Sequence, residues 1–152
     1  MWRFALVLFV ACGGATPHES VRYDTDLDSV LAAVTDVAKQ NAKQVQTDRE
    51  HEAVHTAWQV VAVTREQIDS PYAISEIDHG GKVRYFARYD IQIVGARPWQ
   101  VVVAAHGSRW VDGEVKAKEF SDDNPPAWLV DHRNHIVDDI NARLRASAVA
   151  PR

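Results

Sequence analysis

The chain has 152 residues, with 17 Lys and Arg against 21 Asp and Glu, for a formal charge of −4. Apolar residues make up 46% of it and charged residues 25%, ordinary values that exclude a disordered tail, a collagen and a polytopic membrane protein, at a length suited to one domain with a real core. The mild acidity argues against nucleic acid as a partner, because phosphate neutralisation needs a basic stripe; the single cysteine rules out a disulfide framework and a cysteine-based zinc site.

Trp2 and Arg3 make a short, weakly basic start, and Phe4 to Ala11 is an uninterrupted apolar run. A bilayer span needs about 20 residues, whereas the apolar region of a secretory signal takes about 7–15. The run ends in Phe9-Val10-Ala11-Cys12, followed by Gly13-Gly14-Ala15-Thr16-Pro17. These residues resemble the lipobox of bacterial lipoproteins, over the first dozen positions and no further. The resemblance implies that residues 1–11 are a signal peptide removed on export. It also implies that Cys12 is the lipidation site, carrying diacylglycerol on its sulfur, and that these acyl chains attach an otherwise soluble chain to the membrane. Gly13, where an Asp marks inner-membrane retention in enteric bacteria, implies the outer membrane facing the periplasm. The plainer reading of Cys12 is a small residue in an ordinary signal cut elsewhere. Residues 12–25 then form the lipidated Cys and a polar tether.

Asp26 to Lys43 reads as an amphipathic helix, with Leu27, Val30, Leu31, Val34 and Val37 or Ala38 on one face. Thr25, three before Asp28, suggests a capping box; Asp26 and Asp28 suit the positive end of the helix, and Lys39 and Lys43 the negative end. Val54 to Val63 reads as a strand with Val54, Thr56, Trp58, Val60 and Ala62 on one parity. Thr64 to Lys82 is expected mostly as loop, with a short strand around Tyr72 to Ile77. Val83 to Val94 alternates cleanly: Val83, Tyr85, Ala87, Tyr89, Ile91 and Ile93 point one way, and Arg84, Arg88, Asp90 and Gln92 the other. A turn at Gly95-Ala96-Arg97-Pro98 leads into a second long strand, Trp99 to Trp110, which makes a hairpin at the centre of the sheet. Asp112-Gly113 is another turn, before a short strand within Glu114 to Phe120. Asn124 as N-cap and Pro125 as first residue start a second helix, Ala127 to Arg145, with Leu129, Ile136, Ile140 and Leu144 on one face.

The expectation is an α+β fold in the order helix, three or four antiparallel strands, helix, with both helices on one face of the sheet as a two-layer sandwich. The domain is expected to span residues 26–146, with 147–152 as a frayed tail.

The sharpest motif is His51-Glu52-Ala53-Val54-His55, a match to H-E-x-x-H. On a helix, histidines four apart can share a zinc ion, with the Glu as general base on a zinc-bound water. The match is similar to zincin metallopeptidases in those five residues only. The residues that follow alternate as a strand, and a strand through this segment separates His51 and His55 by about 13 Å, beyond one metal. The match is therefore read as accidental, with no metal and no cofactor. His132, His135 and Asp139 lie at helical spacing and could hold a transition metal; the plainer reading is a helix flank that packs one ring and keeps one nitrogen wet. Arg84, Arg88 and Arg97 could bind an anionic head group or a partner's carboxylate; the plainer reading is a solvated strand face with Asp90 paired to an arginine. Trp58, Tyr85, Tyr89, Trp99, Trp110 and Trp128 are either core or an interaction patch.

No complete catalytic constellation is present. The leading expectation is a non-enzymatic, lipid-anchored module of the bacterial cell envelope that binds an envelope protein or another envelope molecule. The alternatives are a small zinc hydrolase using His51, Glu52 and His55, and a small-ligand carrier with a groove between helices and sheet lined by Trp58 and Tyr89.

Overall fold

The computed structural model describes residues 21–68 and 70–149. The expected signal peptide, Cys12 and the first part of the tether lie outside them. In chain order the elements are β1 (Arg22–Tyr23), α1 (Leu27–Asn41), β2 (Val45–Asp48), β3 (Ala53–Thr56), β4 (Gln59–Val61), α2 (Pro71–Asp78), β5 (Val83–Val94), β6 (Trp99–Val111), β7 (Lys118–Glu119), α3 (Ala127–Arg143) and β8 (Ala148–Val149). The fold is α+β. Its sheet has eight strands rather than three or four, with the path β2-β3-β5-β6-β1-β8, β4 paired to β5 and β7 paired to β6. Every strand pair is antiparallel. No helix among the described residues is long and apolar enough to cross a membrane.

The β5–β6 hairpin is the centre of the sheet, as its alternation implies. It pairs without a break from Val83 opposite Val111 to Val94 opposite Gln100. Tyr85, Ala87, Tyr89, Ile91 and Ile93 are all buried. They share one core with Val30, Leu31, Val34, Val37 and Ala38 of α1 and with Trp128, Leu129, Ile136 and Ile140 of α3. A one-residue slip of β5 would turn all five of those side chains away from the helices, so the hydrophobic pattern fixes the register.

Local details correct several expectations. The N-cap of α1 is Asp26, whose carboxylate accepts the Ser29 N–H at 2.8 Å, and Thr25 forms no capping box. The cap satisfies an amide that the first turn cannot, and places a negative charge at the positive end of the helix. Tyr72 to Ile77 is not a strand but part of α2, which starts with Ser70 as cap and Pro71 in the first turn. Asn124 does not cap α3: Pro126 occupies that position without a side-chain cap. The packed chain also exceeds 26–146. Tyr23 is buried in β1 and hydrogen-bonds Asn141, and β8 pairs with β1 in the stretch expected to fray.

The largest correction concerns the strand expected over Val54 to Val63. Two strands stand there, and both pair with β5, but out of step. His55 lies opposite Asp90 and Gln59 opposite Ala87, so this side carries one residue more than β5 does. That is a bulge, and the extra residue turns every later side chain to the other face. Val54 and Thr56 are therefore buried, whereas Trp58 and Val60 are exposed by 39% and 65%. The Thr56 hydroxyl accepts the Tyr89 N–H at 2.8 Å, so the side chain satisfies an amide where the ladder is interrupted.

Candidate functional site

The face of the sheet opposite the core is built from the other parity of β5: Arg84, Phe86, Arg88, Asp90 and Gln92. The hairpin between β2 and β3 brings the H-E-x-x-H residues to the end of this face. The Asp48 carboxylate accepts the N–H groups of Glu50 and His51, each at 3.1 Å, and Glu52 takes a left-handed φ of 52° to close the turn. His51 thus sits in a turn and His55 in β3. The helix that zincin chemistry requires is not formed.

Each imidazole is held by a different carboxylate. His51 Nδ1 lies 2.8 Å from Asp48 Oδ2, and His55 Nδ1 lies 2.8 Å from Asp90 Oδ1. The hydrogen bond from the His51 ring, with those from the His51 and Glu50 amides, holds the Asp48 carboxyl below the usual carboxylate range. Asp90 Oδ2 is 3.1 Å from His106 Nε2 on β6, and His106 Nδ1 is 3.2 Å from Asp122. The result is a chain of alternating imidazole and carboxylate, His55–Asp90–His106–Asp122, across three strands' worth of sheet and into the loop before α3. Asp90 thus pairs with histidines and not with an arginine, which corrects the expectation for this strand face. The hollow beside the chain has a volume of about 400 Å³; Asp48, His51, His55 and Asp90 line it above a floor that includes Val102 and Ala104.

His106 and Asp122 were not singled out from the sequence. The signal that finds them is the hairpin register, which puts His106 opposite Arg88 and hence diagonal to Asp90. Among the described residues, no three His, Cys, Asp or Glu side chains form a group able to hold a metal ion. With both His51 and His55 turned to separate carboxylates on separate strands, we expect no zinc bound tightly by this pair. Calorimetric titration of zinc into the wild type and into His55→Ala should give two indistinguishable, weak isotherms. One tight site per chain, lost in the variant, would promote the hydrolase reading.

The arginine cluster divides. Arg97 pairs with Asp24. Arg84 lies over the Trp110 ring, 5.8 Å from its centroid, and Arg88 over the Trp58 ring at 5.4 Å. Such stacking positions a guanidinium while leaving its N–H donors free at the edges. Trp110 is itself fixed, because its indole N–H donates to the Glu114 carbonyl at 2.9 Å and the Glu114 carboxylate accepts the Val111 N–H at 2.9 Å. Neither Arg84 nor Arg88 has a carboxylate partner among the described residues, and Arg88 Nε is buried without a hydrogen bond there.

The remaining candidates separate onto other surfaces. Trp58 and Tyr89 do not line one groove: the bulge leaves Trp58 exposed on the far face, and Tyr89 is buried in the core. On α3, His132 packs edge-on against Trp128, with Nδ1 3.3 Å from the Tyr89 hydroxyl, while His135 lies 3.6 Å from Asp139. Burial lowers the His132 pKa and so favours its neutral form. This is the packed ring on a helix flank, with the second histidine at the surface. Comparison with family models finds none that matches this chain, and comparison with curated proteins returns no match either.

Proposed function

We propose that this chain is a lipid-anchored accessory domain of the bacterial cell envelope, attached to the outer membrane through acyl chains on Cys12 and facing the periplasm. It catalyses no reaction and binds an acidic segment of an envelope protein. In this reading α1 and α3 close one face of the sheet as a two-layer sandwich, and the opposite face meets the partner. The observation that carries the binding role is the pair of arginines on that face, each seated over a tryptophan and each without a carboxylate partner among the described residues. Two carboxylates on the partner, about 13 Å apart, would each meet one fixed guanidinium, with an apolar surround from Trp58 and Val60 beside Arg88. The lipobox resemblance of residues 9–12 supports the anchor.

Titration with a poly-glutamate peptide, followed by tryptophan fluorescence, tests the face. Binding should weaken about tenfold in the Arg84→Ala/Arg88→Ala double variant, as expected for two partly exposed ion pairs, and should fall with added salt. Equal affinity of wild type and double variant rejects this surface. The anchor is tested separately. Cys12→Ser should move the protein from the membrane to the soluble fraction or leave its precursor uncleaved. Intact mass of the wild-type membrane protein should show Cys12 as the mature N-terminus with diacylglycerol on its sulfur; a mature N-terminus elsewhere, with a free thiol, rejects the anchor and leaves the binding test standing.

A further inference from the structure

His106 belongs to both features of the outer face of the sheet. The hairpin register sets it opposite Arg88, the arginine seated over Trp58. Its ring also joins the imidazole–carboxylate chain at both nitrogens: Nε2 lies 3.1 Å from Asp90 Oδ2, and Nδ1 lies 3.2 Å from Asp122 Oδ1. A neutral imidazole carries one N–H and one lone pair, whereas the imidazolium carries two N–H groups. With a carboxylate oxygen at each nitrogen, a neutral ring would turn its lone pair toward negative charge on one side. Only the protonated ring meets both carboxylates favourably. His51 and His55 differ. Among the described residues each meets a carboxylate at Nδ1 alone, and a neutral ring satisfies it.

The charged and titratable groups around Asp90 are His55 from β3, Arg88 from β5, His106 from β6 and, beyond His106, Asp122 from the loop before α3. Asp48 and His51 line the same hollow as Asp90. Arg133 of α3 lines a second hollow with His106 and Asp122. Glu119 of β7 lies opposite Ser108, one pleat beyond His106. The His106 side chain is 23% exposed, against 44% for His55 and 71% for His51, so solvent screens its contacts least. Arg88 and Asp90 are two apart on β5 and share its outer face, about 7 Å apart along the strand. The arginine stem is long enough to cover that distance, so an Arg88–Asp90 pair is the alternative to the Arg88–Trp58 stack.

We propose that His106 is a proton-operated switch on the arginine face, which rests on the reading of that face as the surface for an acidic partner. Protonated, His106 occupies Asp90 and Asp122 and adds a positive charge opposite Arg88. Arg88 then stays over Trp58, with its outer N–H donors open to the partner's carboxylate. When His106 loses its proton, Asp122 turns into water and Asp90 loses the cation beside it. Arg88, two residues along the same face, replaces that cation and leaves Trp58, and the face closes on itself. An imidazole changes charge between about pH 5 and 8, so acid opens the face and base closes it. Linkage requires the reverse as well: binding of the acidic partner takes up protons.

The test uses the full-length protein in detergent and a poly-aspartate peptide, whose carboxylates stay charged across the range used. Tryptophan fluorescence should show binding about fivefold tighter at pH 5.5 than at pH 8. Calorimetry at pH 6.5 in two buffers of different ionisation enthalpy should show proton uptake on binding. His106→Gln should bind at both pH values about as weakly as the wild type does at pH 8. Asp90→Asn should bind at both about as tightly as the wild type does at pH 5.5, since no carboxylate then competes for Arg88. A merely structural role would weaken both variants alike. His135→Gln, at the surface of α3, should keep the wild-type response. Equal wild-type affinity at the two pH values, or an unchanged response in His106→Gln, overturns the switch; the arginine face still stands if Arg84→Ala/Arg88→Ala weakens binding. A wild type that binds the peptide at neither pH overturns both.

Discussion

Trp128→Ala should be among the most destabilising single substitutions in the chain. Trp128 is fully buried at the start of α3 and stands edge-on to three rings: Tyr85 at 5.6 Å, Phe120 at 6.0 Å and His132 at 5.8 Å between centroids. It thereby ties β5, the chain after β7 and the first two turns of α3 to one point. Gly107 on β6 lets the helix come this close, since a Cβ there would lie 2.9 Å from Leu129 and 3.2 Å from the indole. Removing the indole loses its burial and leaves a cavity that three separate elements must collapse to fill, so the expected cost is about 3–5 kcal/mol. The same loss should lower Tm by about 10 °C. Trp128→Phe gives a sharper comparison. The indole N–H is buried with no hydrogen-bond partner among the described residues, so phenylalanine gives up no hydrogen bond and keeps most of the ring contacts. It should cost less than half as much as alanine. Urea unfolding of the two variants measures both numbers, and equal costs would mean that the ring contacts contribute little.

What was legible in the sequence follows from where one period dominates. β5 has twelve residues with one buried parity, and a pattern of that length leaves a single register. The stripe of α1 is equally plain, because Val30, Leu31, Val34, Val37 and Ala38 recur at helical spacing and all are buried. β2 gave no such sign. Gln46 and Thr47 are exposed and Val45 is only partly buried, so an edge strand exists there because the chain must return beside β3 and not because its own residues demand it. β1 and β8 have two residues each, too few to show any period. α2 was signalled by Ser70 and Pro71, a cap followed by a first-turn proline, but its eight residues bury only Ala73 completely. A bulge is illegible for a different reason: continuing the alternation of Val54 and Thr56 through Trp58 and Val60 is the simplest reading, and the single inserted residue that breaks it carries no composition of its own.

The candidate site shows the same division. Alternation alone put Arg84, Arg88, Asp90 and Gln92 on one strand face. Pairing across strands decided what each of them meets, and that depends on register between segments far apart in the chain. His55 reaches Asp90 because β3 and β5 pair with those two residues opposite one another. Trp58 reaches Arg88 because the bulge shifts the register by one in between. A short motif read along the chain therefore misplaces its own chemistry: His51 and His55 are four apart in sequence, yet each is held by a carboxylate of a different strand.

The parity of β5 can be tested with two adjacent residues. Ile91→Ala should cost about 2–5 kcal/mol, as for other large-to-small changes at fully buried sites, and Gln92→Ala should change stability by less than about 0.5 kcal/mol. Ile91 is 1% exposed. It lies between Val54 of β3 and Val103 of β6 in the middle of the ladder, where neighbours on both sides hold the backbone in place and limit collapse into the space left by the lost carbons. Gln92 pairs with Ala53 and Val102 on the same two strands but points to the other face, where water replaces whatever its amide loses. The two substitutions share backbone conformation, strand position and distance from the chain ends, so intrinsic strand propensity and local fraying largely cancel in the comparison. What remains is the face each side chain occupies. Thermal and urea unfolding should therefore separate the two variants by at least about 2 kcal/mol. Equal effects would place both side chains at the edge of the core, and the bulge-dependent positions of Trp58 and Val60 opposite Arg88 and Phe86 would fall with them.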